Sequence, residues 1–107
     1  MTPVSDSAVR YVDATIIRHL FNEGKYYERA LSGDLTVRLA RDNTPDPPPK
    51  GQPVGTQSQI LYYYEAGEPV AVVHQYLRPD GTLGGSGRPD PKELRIDGVR
   101  IILWPHH

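Results

Sequence analysis

Near the start of the chain, apolar residues recur every three or four positions, which is the period of an amphipathic helix. The residues that share this helical face are Val9, Val12, Ile16, Ile17 and Leu20. Ser5 or Ser7 can cap the start of such a helix, and Gly24 can end it in a left-handed conformation. The pattern predicts one helix over roughly residues 6 to 22.

After residue 25 the apolar period changes to two. Leu35 to Leu39 alternates apolar and polar side chains behind the turn residues Ser32-Gly33-Asp34, which predicts a hairpin over roughly residues 26 to 41. A second short helix over roughly residues 25 to 31 is the competing interpretation, because the apolar residues there also fit helical spacing. We favour the hairpin.

The clearest hairpin joins the apolar runs 58–65 and 69–77 through Ala66-Gly67-Glu68. A three-residue loop pairs Ile60 with His74, whereas a two-residue loop shifts the pairing by one. The shift exchanges the aromatic residues that share a face with His74, because neighbouring strand residues point to opposite faces. The pattern leaves both registers open.

A last hairpin turns at Asp97-Gly98, which favours the positive φ angles of a type I′ turn. It pairs Ile96 with Val99 and Leu94 with Ile101.

The segments 42–57 and 78–92 are rich in proline and glycine and are predicted to be irregular loops.

Together these elements predict a single α+β domain over residues 1–107. One N-terminal helix is expected to pack on an antiparallel sheet of about five or six strands. A small open β-barrel with one helix is the second architecture that fits the pattern.

Composition narrows the classes of function. Twelve Lys and Arg against thirteen Asp and Glu give a net charge of −1, which argues against binding of phosphate backbones by bulk charge. The absence of cysteine excludes disulfides and thiolate metal sites. No apolar run approaches the ~20 residues of a membrane span, and Met1 to Ser7 lacks the features of a secretory signal. We therefore expect a cytoplasmic protein.

No cofactor or metal is expected. The four histidines, of which His106 and His107 are adjacent at the end of the chain, lack metal-ligand spacing. The sequence also carries no dinucleotide fingerprint and no nucleophile elbow.

His74, Tyr76 and Arg78 fall on one face of the second strand of the central hairpin, about 7 Å apart in succession. This set suits metal-independent RNA cleavage, in which His74 moves the proton of the 2′-hydroxyl. Arg78 or Arg88 would stabilise the charge that develops on phosphorus. The alternative is that His74 and Tyr76 are half-buried sheet residues with satisfied hydrogen bonds.

Two further groups of residues could bind ligands. Backbone NH groups of a glycine-rich loop could hold an anion, and the residues of this candidate site are Gly84, Gly85, Ser86, Gly87, Arg88 and Lys92. No Walker motif is present, so a flexible loop is the alternative. Tyr62, Tyr63 and Tyr64 must divide between the two faces of a strand, and an outward tyrosine could stack on a base or on another protein.

The sequence favours a non-enzymatic binding or regulatory module that binds a protein partner or self-associates through its sheet edges. A small metal-independent RNase of bacterial-toxin type is the second hypothesis. A binder of a small ligand between helix and sheet, with tyrosines lining the pocket, is the third. No membrane partner is expected.

Overall fold

The computed structural model describes residues 8–105, which form two helices and six strands. Their bounds are β1 Val9–Val12, α1 Ala14–Glu23, α2 Tyr26–Ser32, β2 Thr36–Asn43, β3 Gln57–Glu65, β4 Glu68–Leu77, β5 Asp90–Ile96 and β6 Val99–Leu103. The strands lie in the order β1-β6-β5-β4-β3-β2, and every neighbouring pair is antiparallel except β1 with β6. The α+β class is confirmed, and the sheet is open rather than closed into a barrel.

The prediction of one helix over residues 6–22 is confirmed for residues 14–22 and is wrong for residues 9–12. Residues Val9–Val12 form a strand that pairs in parallel with β6, and that pairing overrides their helical spacing. The helix begins at Ala14 because the Asp13 carboxylate accepts a hydrogen bond from the Ile16 amide at 3.0 Å. Ser5 and Ser7, the predicted caps, lie outside the described residues.

The helical pair crosses the sheet from one edge to the other, since β1 and β2 form opposite edges. The buried residues of α1 are Ile17 and Phe21, whereas Ile16 is 47% exposed. Gly24 ends α1 as predicted, but its φ of −78° is not the left-handed conformation that was expected. A β-carbon on Gly24 would lie 2.5 Å from the Tyr26 ring, so this position needs glycine for close packing.

The predicted hairpin over residues 26–41 is wrong in its first arm, and the competing short helix is correct. Helix α2 covers Tyr26–Ser32 and ends at Gly33, where φ is +86°. The Tyr26 ring stacks on Phe21 with centroids 5.7 Å apart. Burial of the Tyr26 ring against α1 stabilises α2. Of the predicted hairpin, only the second arm is a strand, Thr36–Asn43.

The central hairpin combines both registers that the sequence left open. Ala66 and Gly67 form a two-residue turn in which both φ angles are positive, and Glu65 pairs with Glu68. Farther from the turn, a bulge shifts the pairing between Tyr63 and Tyr64. From there the strands follow the register of the three-residue alternative, so that Ile60 pairs with His74.

The last hairpin is confirmed, with Ile96 opposite Val99 and Leu94 opposite Ile101. Asp97 and Gly98 have φ of 51° and 77°, as a type I′ turn requires. The loop predicted over 78–92 ends earlier, because β5 begins at Asp90 and Pro91 sits at a bulge against β4. The loop predicted over 42–57 is confirmed for its interior, residues 44–56.

The core lies between the helices and one face of the sheet. Its buried hydrophobic side chains are Ile17, Phe21, Tyr26, Leu35, Tyr63, Ala71, Val73, Leu94, Ile101 and Leu103. Neither helix in residues 8–105 has the length and apolar character needed to cross a bilayer. In the same residues, no three His, Asp or Glu side chains group into a metal site; His106 and His107 fall outside them.

Candidate functional site: the open sheet face

The second face of the sheet carries a set of aromatic and charged side chains, and we call it the open face. Register aligns Arg38, Tyr62, Val72 and Glu93 across β2 to β5. Both helices lie on the opposite face, where Ile17 and Phe21 cover the core. Further residues that the alternation places on the open face are Tyr11, Ser58, Ile60, Tyr64, His74, Tyr76, Arg95, Arg100 and Ile102.

An arginine and two tyrosines stack at the β2 side of the open face. The rings of Tyr62 and Tyr64 have centroids 6.4 Å apart. The Arg38 guanidinium lies over both rings, 5.4 and 5.8 Å from their centroids. Arg38 is exposed, so the three side chains present a planar cation to solvent on an aromatic base.

His74 is held at the centre of the face by its two neighbours. Its Nε2 atom lies 2.8 Å from Ser58 Oγ, and its ring meets Tyr76 edge to face with centroids 4.7 Å apart. Burial and the nearby Lys92 charge lower the pKa of His74, and Asp90 offsets part of this effect. His74 is therefore neutral at pH 7.

Cationic groups line a depression of about 220 Å³ beside Tyr62. Arg100 donates two hydrogen bonds to Glu93, at 3.0 and 3.1 Å, and the exposed Arg95 lies on the same wall. Several other carboxylates bond on the helix side or at the sheet ends: Asp42 to Gln57, Glu65 to Arg29, and Asp90 to Arg18. The charged residues that register places on the open face include four arginines and two carboxylates, so cations are in excess there: Arg38, Arg41, Arg95 and Arg100 against Glu93 and Asp90.

The predicted set of His74, Tyr76 and Arg78 is brought together in part. His74 and Tyr76 are in contact, whereas Arg78 follows the end of β4 and donates from Nε to Gln52 Oε1 at 2.9 Å. Arg88, the other predicted phosphate ligand, lies on the helix side of the sheet. There it pairs with Glu28 at 3.0 Å and covers the Tyr27 ring.

The predicted anion loop is tied to the rest of the fold. The Gly84 amide donates to the Tyr76 carbonyl, and Gly87 donates to the carbonyl of Gly84. Gly85 has a φ of +64°, and the Ser86 hydroxyl bonds the backbone of Arg88.

The two cations of that predicted site lie near opposite ends of α1. Arg88 bonds Asn22 in its last turn, and Lys92 lines a depression beside Asp13 at its start. The two side chains therefore lie toward different ends of a helix that is about 15 Å long.

The three consecutive tyrosines divide between the faces, as expected. Tyr62 and Tyr64 lie half-buried on the open face. Tyr63 is 3% exposed beneath Phe21, and burial raises its pKa to about 12.

Sequence reasoning missed several residues of the open face: Arg38, Ser58, Glu93, Arg95 and Arg100. The sequence could have placed Arg38 on this face, because Arg38 alternates with the apolar Val37 and Leu39 in a strand that was predicted. The contact of Ser58 with His74 depends on the register of the central hairpin, which the sequence left open.

The depression between α1 and the sheet, about 250 Å³, bears on the small-ligand hypothesis. Charged residues at its rim include Asp13, Arg18, Asp90 and Lys92, and none of its described lining residues is a tyrosine. Its volume is below the range of about 300 to 1,000 Å³ that is typical of ligand pockets.

No protein-family model matches the chain, and comparisons with curated proteins and with solved structures also find no match. Proposals about function therefore depend on the geometry of the chain itself.

Proposed function

We propose that this protein is a non-enzymatic binding module whose open face binds single-stranded nucleic acid. The observation that carries the proposal is the Arg38 guanidinium over the rings of Tyr62 and Tyr64, on a sheet face that neither helix covers.

Bases stack on aromatic rings and on arginine planes, and such stacking contributes about 1 to 3 kcal/mol per base. A single strand exposes its bases for this contact, whereas a duplex stacks and pairs them internally. The exposed side of Arg38 and the ring of Tyr62 offer such surfaces next to the 220 Å³ depression.

Local charge supports the same ligand. Arg95 and Arg100 lie beside Tyr62, where they can contact phosphates that flank a stacked base. The net charge of −1 does not oppose this contact, because arginines outnumber carboxylates among the charged residues that register places on the open face.

The face also has a suitable width. From β2 to β6 there are four inter-strand spacings, or roughly 19 Å at about 4.8 Å each. A stacked strand rises about 3.4 Å per nucleotide, so roughly five nucleotides can cross the face.

Fluorescence anisotropy with a labelled single-stranded RNA of about ten nucleotides tests the proposal. Tyr62→Leu, which removes the ring, should weaken binding by about 5- to 100-fold, and Tyr62→Phe, which keeps it, should bind like the native protein. An unlabelled single strand should compete, whereas a duplex of the same sequence should not. No binding at low salt, or equal binding by Tyr62→Leu, would contradict the proposal.

The salt dependence gives an independent check with a matched control. Arg95→Gln should lower the slope of log affinity against log salt by about 1. Arg10→Gln makes the same charge change on the other face, because Arg10 lies opposite the buried Ile101. Equal slopes for these two variants would show that the open face does not contact phosphate.

RNA cleavage on the same face is the second candidate, favoured by the neutral His74 and its 2.8 Å contact with Ser58. In this reaction His74 accepts the 2′-hydroxyl proton as that oxygen attacks phosphorus, and the 5′-oxygen leaves with a proton from solvent. Cleavage of RNA but not of DNA, lost in His74→Ala, would support an enzyme. Intact RNA after prolonged incubation would discard this candidate.

A cytoplasmic location and self-association through a sheet edge remain parts of the proposal. Sedimentation at micromolar concentration tests the second part. A homodimer supports self-association, and a monomer over the whole concentration range contradicts it.

A further inference from the structure

Strand β2 forms one edge of the sheet along its whole length. It pairs with β3, and all of its eight residues are exposed. Among the described strands none lies on its outer side. Its outward backbone NH and carbonyl groups can therefore pair with an added strand.

An apolar groove of about 240 Å³ runs beside this edge on the helix side. Among its lining residues are Tyr27, Leu31, Val37, Leu61 and Leu83. Leu31 is 70% exposed and Val37 is 41% exposed. The groove exists because α1 packs on β5 and β6 at the other end of the sheet and α2 is only seven residues long.

The two sides of β2 differ in chemistry. Val37 and Leu39 point to the groove side, since they pair with Tyr63 and Leu61. Arg38 lies opposite Tyr62 on the open face, and a bulge brings Arg41 opposite Ile60 on that same face. An added strand would thus meet apolar side chains on one side and cations on the other.

This distribution of charge decides between two occupants. If β2 of a second copy were added by two-fold symmetry, the arginines of both copies would lie on one face and repel each other. A strand with acidic residues on that face would instead be attracted.

We propose that the outer edge of β2 binds an extended segment of another protein in which apolar residues alternate with acidic ones. The segment pairs with β2 as an additional strand, its apolar side chains enter the groove beside Leu31 and Val37, and its carboxylates face Arg38 and Arg41. The groove of this protein-binding site lies on the helix side of the sheet, and Arg38 is the residue that it shares with the nucleic-acid surface proposed above.

The probe for this site is a synthetic eight-residue peptide of alternating Glu and Val, titrated into the full-length protein and followed by amide chemical shifts. We expect shifts at Thr36 to Leu39 and at Leu31, and no shifts from the matched peptide of alternating Lys and Val. Equal effects of both peptides, absence of binding, or shifts confined to other strands would overturn the proposal.

Two point variants test whether the peptide binds in the groove beside β2. Leu31→Asp should weaken binding of the Glu and Val peptide by roughly tenfold or more, because it places a charge in the groove. Ile16→Asp is the control, as Ile16 is an exposed apolar residue of α1 away from the groove. Equal losses in the two variants would contradict the site.

A third pair of measurements separates this proposal from the nucleic-acid one. Leu31→Asp should bind RNA normally, and Arg95→Gln, which changes the open face on β5 away from β2, should bind the peptide normally. If Arg95→Gln also lost the peptide, the peptide would bind the open face away from β2 and the edge site would be wrong.

Discussion

Tyr62 and Tyr63 are neighbours in one strand, yet they belong to different parts of the molecule. Tyr63 is 3% exposed and packs under Phe21, whereas Tyr62 stacks with Tyr64 beneath the Arg38 guanidinium on the open face. The alternation of a strand separates the two rings by the thickness of the sheet.

Tyrosine therefore has two roles in one strand: Tyr63 stabilises the fold on the face that the helices cover, and Tyr62 is available to a ligand on the open face. Among the described residues, six buried side chains of the sheet face the two helices: Tyr63, Ala71, Val73, Leu94, Ile101 and Leu103. The open face has arginines, a neutral histidine and paired tyrosines. Mutations at matched positions should therefore separate stability from binding.

The largest difference is expected for truncation of the two rings. Tyr63→Ala should lower the free energy of unfolding by about 3 to 5 kcal/mol, because a cavity forms under Phe21. Tyr62→Ala should lower it by about 1 kcal/mol. Urea denaturation of both variants measures the difference, and equal losses would mean that the two faces are packed alike.

A second difference should appear at high pH. The pKa of Tyr63 is raised to about 12, while the unfolded chain titrates near 10, so the unfolded state loses its proton first. The stability that Tyr63 contributes is present below pH 10 and is lost as pH rises from 10 toward 12, by about 1 to 2 kcal/mol.

Tyr63→Phe should remove this part of the pH dependence, and Tyr62→Phe should not. Thermal unfolding measured at several pH values between about 9 and 12 compares the two variants. The same pH profile in both would refute the assigned burial of Tyr63.

Removal of the Asp13 cap of α1 should have a smaller effect on the free energy of unfolding. Asp13→Ala removes the side-chain acceptor for the Ile16 amide and should cost about 1 kcal/mol of stability. Asp13→Asn, which retains an acceptor, should recover most of this loss. Circular dichroism during denaturation measures both variants, and no loss in the alanine variant would contradict the cap.

The smallest effect is expected from His74. Its folded pKa lies below 6.5, so the unfolded state binds a proton first and stability falls as pH decreases below about 6.5. His74→Gln should flatten this part of the pH profile. A profile unchanged by His74→Gln would mean that the ring is not desolvated.

The local pattern of the sequence was sufficient for the last hairpin, for the two strands of the central hairpin without their register, and for the division of the tyrosines. Asp97-Gly98 specifies its own turn, and alternation alone separates Tyr62 from Tyr63. The four apolar residues of the last hairpin pair as predicted and all lie in or against the core: Leu94, Ile96, Val99 and Ile101.

The N-terminal region was mispredicted because its structure depends on distant partners. Val9 and Val12 have helical spacing, but β6 lies more than 80 residues away in sequence and pairs with them. Tyr26 becomes helical through its contact with Phe21. The Arg38 stack likewise depends on the β2–β3 pairing, which local patterns do not encode.

The most direct test of the open face is an amide chemical-shift titration of the protein with a short single-stranded RNA. The account predicts that the shifted residues cluster at Arg38, Tyr62, His74 and Arg100, on one face of β2 to β6. Shifts confined to α1 and α2, or no shifts at low salt, would contradict it.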